Sequence, residues 1–296
     1  MRWLVTGASG LVGSDVAAVL RHTGRRNDEF SFVTRCELDI TDAAAVRAAV
    51  AGHDLVINAA AWTDVDGAES NEDRATRVNG MAVELLANAC VQVGARLFHL
   101  STDYVFAGNA RTPYAEDAPT GPINAYGRSK LAGERAVLSA LPDTGYVVRT
   151  AWLYGAHRDN FVTKMLDLAE AGRTAEVVTD QIGQPTWSFS FANGLVALAR
   201  AAAHGEVPAG IYHVTAAGQT SWYGFARAIL ALSGYEPSLI RPIGSDRRRR
   251  PARRPAFSVL GHSRWQSTGL WPMIGWDDML REAMTSSYLR IPANPS

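Results

Sequence analysis

Thr6-Gly7-Ala8-Ser9-Gly10-Leu11-Val12-Gly13 is the stretch that decides the fold. It follows Trp3-Leu4-Val5-Thr6, an apolar run of strand character, and opens into an alanine-rich stretch with helical spacing. Glycines at such a junction permit a tight turn. They also let backbone amides approach a pyrophosphate at the positive end of the following helix. A glycine pattern alone is often only a turn. Between a strand and a helix it predicts a dinucleotide site carried by Gly7, Ser9, Gly10, Leu11, Val12 and Gly13.

Outward from this loop, the first half of the chain alternates short β-rich runs with longer helical ones. Strands are expected at Trp3 to Thr6, Phe30 to Thr34, Leu55 to Asn58, Arg96 to Ser101 and Tyr146 to Arg149. Helices are expected at Gly10 to Arg21, Thr41 to Ala51, Ala75 to Cys90 and Asn124 to Ala140. This alternation predicts an α/β protein with a Rossmann-type doubly wound parallel sheet in residues 1–150. A smaller, mainly substrate-binding domain is expected in residues 151–296. A helix and strand from about 187–214 are expected to return to the first sheet. In the second half, Phe161 to Ala171, Phe191 to Ala203 and Trp222 to Leu232 read as helices, and Ile211 to Val214 as a strand. Asp246 to Pro255, dense in arginine and proline, reads as a loop.

The composition narrows the partners. Of 296 residues 47% are hydrophobic and 20% charged, with 29 basic residues balancing 29 acidic ones. A neutral chain argues against nucleic acid or a membrane surface as partner. Two distant cysteines, Cys36 and Cys90, indicate neither a disulfide framework nor a metal site. The N-terminus lacks the long apolar region of a signal peptide, and no run reaches membrane-spanning length. A cytoplasmic protein is expected.

Asn124-Ala125-Tyr126-Gly127-Arg128-Ser129-Lys130 carries the second decisive pattern. Tyr126 and Lys130 fall on one helix face, where an ammonium favours a phenolate and tunes proton transfer to a carbonyl oxygen. On an ordinary helix such a pair is only an exposed face. Thr102, at the end of an expected strand, is placed to donate to a substrate oxygen; the bland reading of Ser101-Thr102-Asp103 is a turn. In the usual strand order that strand lies next to the first. After the second strand an acid would bind the ribose hydroxyls of NAD. Thr34-Arg35 stands there instead and suits a 2′-phosphate, favouring NADPH with NADH as the alternative. Arg35 also reads as a solvated strand end. Asp39, followed by Ile40, either accepts from adenine or caps the next helix.

Gly-x-x-Gly-x-x-Gly, Ser-Thr-Asp and Tyr-x-x-x-Lys in this order resemble the extended short-chain dehydrogenase/reductase superfamily. Asn58-Ala59-Ala60-Ala61-Trp62-Thr63-Asp64-Val65-Asp66, Ser101 to Phe106, Arg149 to Gly155 and Asp180 to Thr186 narrow the likeness. Gly210 to His213 and Arg254 to Leu260 extend it. Over about Met1 to Met284 the chain resembles the dTDP-4-dehydrorhamnose reductase family. The resemblance implies reduction of the C4 ketone of a dTDP-4-keto-6-deoxyhexose by NAD(P)H. In that reading Thr102 polarises the carbonyl, Tyr126 protonates the alkoxide, and Lys130 holds the nicotinamide ribose. Ala59, Ala60, Ala61, Leu100 and Ile40 would line the cofactor, and Asp103, Trp152 and Arg254 the sugar nucleotide. Trp152 reads equally as a core aromatic.

The resemblance brings with it a homodimer and, in some members, interfacial magnesium held by a Glu where this chain has Asp15. The chain departs from the family at Gly261, where Asp is frequent. The run Arg247 to Arg250 with Arg253 and Arg254 is either a solvated loop or a diphosphate clamp. Two other functions share these motifs. Epimerases and dehydratases resemble the chain in the glycine loop, but dehydratases usually carry Thr-Asp-Glu where this chain has Thr102-Asp103-Tyr104. The regulatory subunit of methionine adenosyltransferase uses a similar chain without turnover.

Overall fold

The computed structural model describes residues 1–286. In the first half β1 (Arg2–Thr6), α1 (Leu11–Thr23), β2 (Glu29–Val33), α2 (Ala43–Val50) and β3 (Leu55–Asn58) follow in turn. Then come α3 (Val65–Glu69), α4 (Glu72–Thr76), α5 (Ala82–Val93), β4 (Arg96–Thr102), α6 (Ala125–Ala140) and β5 (Gly145–Thr150). The second half contains β6 (Leu153–Tyr154), α7 (Phe161–Glu170), β7 (Ala175–Val178), β8 (Ile182–Gly183), β9 (Thr186–Trp187) and α8 (Ser188–Ala203). It closes with β10 (Gly210–His213), β11 (Thr220–Ser221), α9 (Trp222–Leu232), β12 (Ile240–Ile243), α10 (Ser263–Gln266) and α11 (Trp276–Thr285).

Six strands make one parallel sheet in the order β10-β5-β4-β3-β1-β2. Side-chain alternation sends neighbouring residues of each strand to opposite faces. Val5, Ile57, Phe98 and Val148 pack with α1 and α8. Leu4, Val56, Leu97 and Val147 pack with α2, α5 and α6. Apolar burial on both faces is what a parallel sheet covered by helices requires. β10 extends the sheet beside β5, and α8 lies along α1, so residues from beyond 187 complete the first layer.

Two expectations are corrected. β4 does not adjoin β1: β3 takes β1's second edge, Trp3 in register with Leu55, and β4 lies one strand further out. The reversal of strand order therefore falls between β1 and β3. The single helix expected at Ala75 to Cys90 is broken by a π-helical turn at Arg77–Met81. That wider turn carries buried Asn79, whose amide donates to Trp62 O at 3.0 Å and Ser129 Oγ at 2.9 Å. A regular helix would not aim this side chain at both partners.

The second lobe packs α7, α9 and α11 around Tyr154, Phe225, Ile229 and Leu280. Short pairs β7–β12, β8–β11 and β6–β9 stitch its loops. Among the described residues no helix is long and apolar enough to cross a membrane.

Candidate active site

A cleft of about 1050 Å³ opens at the carboxyl ends of the sheet strands, between the two lobes. Gly7, Ser9, Gly10, Leu11 and Val12 form one wall. Gly7 adopts φ +67°, and a Cβ there would lie 2.6 Å from Ala60 N, so only glycine fits. Gly10 is the N-cap of α1 and offers no side-chain cap, which leaves the first helical amides free for an anion. Gly13 lies outside the lining. Its role is packing, because a Cβ there would collide with Gly7 O.

The opposite wall is built by β4 and α6. Thr102 ends β4 and its Oγ1 donates to Asp103 Oδ1 at 2.9 Å. Asn124 caps α6 by accepting from Gly127 N at 2.8 Å, and the helix then presents Tyr126 and Lys130 to the cleft. Thr102, Asp103, Tyr126, Lys130 and Leu100 all line it. Burial raises the proton affinity of the Tyr126 phenol, and the Asp103 carboxylate raises it further; a hydrogen bond with Thr102 opposes them. Burial pushes Asp103 up to about 6. Burial brings Lys130 down to about 8, with Glu134 pulling the other way. Lys130 Nζ donates to Leu100 O at 2.6 Å. Behind this wall Ser101 donates to Glu134, and Glu134 holds Arg149 in a buried bidentate pair at 2.7 and 2.8 Å.

At the far end lie Arg35, Asp39, Ile40, Ala59, Ala60 and Ala61. Thr34 does not join them, because its N–H and hydroxyl both donate to Glu37 Oε2 at 2.8 Å. Glu37 is thus an acid after β2, but it is spent on the turn, and Arg35 faces the cleft without it. Asp39 Oδ1 accepts from Thr41 N and Oγ1, at 2.9 and 2.8 Å, while Asp42 is the residue that caps α2.

Trp152 lines the cleft with φ +46°, in the left-handed region that disfavours a bulky residue. Its ring stacks on Trp222 at 3.7 Å and 8°. The two rings and Gly183, which has no Cβ to strike Trp152, over-determine the strained conformation.

Phenol, hydroxyl and amine beside an uncapped helix end can donate a proton next to a loop able to receive an anion. Sequence comparison then places it. The family described as RmlD substrate binding domain matches residues 1–289. The chain belongs to this family. It is 52% identical over 289 residues to dTDP-4-dehydrorhamnose reductase of Streptomyces griseus, covering 97% of this chain and 93% of that one. It is 49% identical over 284 residues to dTDP-4-keto-6-deoxy-D-glucose reductase of Streptomyces niveus, covering 95% and 96%. The crystal structure of dTDP-4-dehydrorhamnose reductase from Bacillus anthracis, in complex with NADP, superposes with TM-score 0.88 at 31% identity, covering 96% and 98%.

Two residues that the family likeness implies stand elsewhere in this member of the RmlD family. Arg254 lies outside the lining: Nη1 pairs with Asp66 Oδ1 at 3.1 Å, and the guanidinium sits 6.0 Å from the Tyr104 ring centre. Arg250 pairs with the other oxygen of Asp66 at 3.5 Å, and Arg248 donates to Glu176 O. The arginine run is thereby anchored over α3. Asp15 is buried, its Oδ2 accepting from Ser188 at 2.5 Å and its Oδ1 3.2 Å from His157. Among the described residues no group of three or more acidic, histidine or cysteine side chains could hold a metal. Ser188 and His157 thus engage both Asp15 oxygens within this chain.

A dinucleotide, in contrast, fits the donor set. The Gly7 cradle, the free α1 amides and Arg35 line one continuous cleft, and buried Thr150 Oγ1 in the same lining has no partner. Sequence reasoning missed Trp222 and Arg158. Trp222 reads as an ordinary amphipathic helix residue until Trp152 is stacked on it. Arg158 crosses from the second lobe to donate to Ser9 O at 3.0 Å, and neither its neighbours nor its spacing signals that reach.

Proposed function

We propose that this protein reduces the C4 ketone of a dTDP-linked 4-keto-6-deoxyhexose, using NADPH, to give dTDP-L-rhamnose or a related deoxysugar. The observation that carries the reading is the convergence of Thr102, Tyr126 and Lys130 on the cleft wall that faces the glycine loop. The NADP complex of the Bacillus anthracis relative supports the cofactor class. Arg35 supports NADPH over NADH. Residues 1–150 with α8 and β10 form the cofactor half, and the lobe built on α7, α9 and α11 forms the sugar half.

When bound, the reduced nicotinamide supplies the hydride. The chain supplies the rest. Tyr126 holds the proton for the C4 oxygen, and burial together with Asp103 keeps that phenol protonated, as a net reduction requires. Thr102 keeps accepting from the Tyr104 N–H at 3.2 Å and, with the ketone bound, turns its one hydroxyl hydrogen from Asp103 Oδ1 to the carbonyl oxygen. Lys130 holds the nicotinamide ribose and stabilises the phenolate left after proton transfer. The Trp152–Trp222 stack forms an apolar wall for the sugar. Arg254, outside the lining and separated from Tyr126 by the Tyr104 ring, reaches the diphosphate only by leaving Asp66.

A dehydratase is disfavoured, because an acid/base is needed after Asp103 and Tyr104 stands there. Tyr104 packs edge-on to Tyr126 at 5.9 Å, and burial raises its phenol. An intact Thr102, Tyr126 and Lys130 disfavours a purely regulatory subunit.

The test is NADPH oxidation across a panel of dTDP-4-keto-6-deoxyhexoses, with NMR of each product. At least one sugar should be reduced at C4. Tyr126→Phe should bind NADPH and lose about a hundredfold to ten-thousandfold in turnover, the usual contribution of a general acid. Turnover within about threefold of the parent would remove Tyr126 as proton donor.

A further inference from the structure

Thr6, Asn58, His99 and Lys130 form a buried chain of polar side chains that crosses the sheet beneath the cleft. Thr6 Oγ1 donates to Asn58 Oδ1 at 2.7 Å, and Ala60 N donates to the same oxygen at 3.2 Å. A backbone N–H can only donate, so the amide orientation of Asn58 is settled and its Nδ2 is the group facing His99 Nδ1, at 3.1 Å. Nδ1 therefore accepts. A neutral imidazole that accepts at Nδ1 carries its hydrogen on Nε2. Nε2 lies 3.3 Å from Lys130 Nζ, and Gly133 leaves room for the ring, since a Cβ there would come within 3.0 Å of it.

We propose that His99 is a positioning residue whose Nε2–H, oriented by the Thr6–Asn58 chain, points at the Lys130 amine and disfavours its ammonium form. A lysine ammonium has only donors, and at His99 it meets another donor. The neutral amine has a lone pair for Nε2–H and keeps a donor for Leu100 O. The charged and titratable groups facing this pair are few. On α6 it is Glu134, which favours the ammonium and is itself paired with Arg149 of β5; β4 contributes His99 and β3 the uncharged Asn58. Burial and the lysine both keep His99 neutral.

The consequence rests on the proposed role of Lys130 as holder of the nicotinamide ribose. The ammonium that grips the ribose is lost as pH rises through about 8, lower than for an ordinary lysine. In His99→Gln the side-chain oxygen can take the place of Nε2 and accept from the ammonium. The ammonium should then survive to a pH higher by about one.

Two measurements decide it. Ring-nitrogen NMR shifts of His99, assigned by their loss in His99→Gln, should report the neutral Nε2–H tautomer throughout pH 6 to 8, about the range flanking the ordinary histidine value. The Nδ1–H tautomer or a doubly protonated ring would overturn the proposal whatever the enzyme does. Second, NADPH affinity, followed by nicotinamide fluorescence against pH, should fall on the alkaline side in the parent. In His99→Gln the fall should come about one pH unit higher. The same alkaline limb in both proteins, with affinity merely weakened, would make His99 a structural residue only. A parent that fails to bind NADPH at any pH would instead overturn the cofactor reading, leaving the tautomer result to stand or fall separately.

Discussion

In the proposed function Arg35 concentrates the cofactor choice in one side chain. It is exposed at the far end of the cleft, and the neighbouring acid, Glu37, is held by Thr34. A guanidinium on a 2′-phosphate is a charge-assisted contact worth about 1.5–3 kcal/mol. The parent should therefore prefer NADPH in kcat/KM, and Arg35→Ala should lose most of that preference while its rate with NADH stays close to the parent's. An equal or NADH-favouring ratio in the parent would defeat this. The reading also shows what a residue pattern hides. Thr34-Arg35 looked like a matched pair of phosphate donors, but Thr34 faces its own turn. A hydroxyl's partner two or three residues on cannot be read from residue type, since local side chains, here the Glu37 carboxylate, compete for it.

Helix α6, which bears the proposed catalytic pair, is joined to the arginine loop through its cap. Asn124 Oδ1 accepts from Gly127 N, while its Nδ2 donates to Arg253 O at 2.9 Å. Asn124→Asp keeps the acceptor and removes the donor; Asn124→Ala removes both. Loss of an N-cap costs about 1 kcal/mol. Thermal melts should show Asn124→Ala below the parent by at least about that amount, and both variants should raise the KM for the sugar nucleotide more than that for NADPH. A cofactor KM that rose equally would mean the cap serves only the helix. This element was legible: the restart after Pro119 and Pro122 and the polar Asn124 mark its start. The sheet was legible too, because each strand is a short apolar run between turn residues. The π turn at Arg77–Met81 was not, since its cause is the distant pair Trp62 and Ser129. Nor were α3, the position of β4 or the pairing of Arg254 with Asp66. Each depends on which surfaces meet, and periodicity along one segment carries no record of that.

On the scale of the molecule, buried titratable groups set the response to acid. His99, His213 and His262 are held neutral: burial lowers all three, His213 to about 3 and His262 to about 4. Arg149, beside His213, adds to that depression. Each binds a proton in the unfolded chain below about 6.5 that the folded chain refuses, so each removes stability as pH falls. Asp103 and Asp15 act in the opposite sense. Burial raises both, Asp103 to about 6, so the folded chain takes up protons there and gains stability on acidification. Three groups oppose two, and the histidines begin to titrate in the unfolded chain before Asp103 takes up its proton in the folded one. The balance is a net loss, with a slope on the order of 1–3 kcal/mol per pH unit between about pH 6.5 and 5. The carboxylates with lowered proton affinity, such as Asp54 and Glu72, lose their contribution mainly below about pH 5, under that window. Urea unfolding of the ligand-free chain at a series of pH values should show stability falling from neutrality to about pH 5. His213→Asn, which cannot titrate, should flatten the slope by about one proton, roughly 1.4 kcal/mol per pH unit. A slope left unchanged in His213→Asn would mean that this buried histidine accepts its proton in the folded state; a level curve in the parent together with a changed slope in the variant would mean instead that Asp103 and Asp15 offset the histidines.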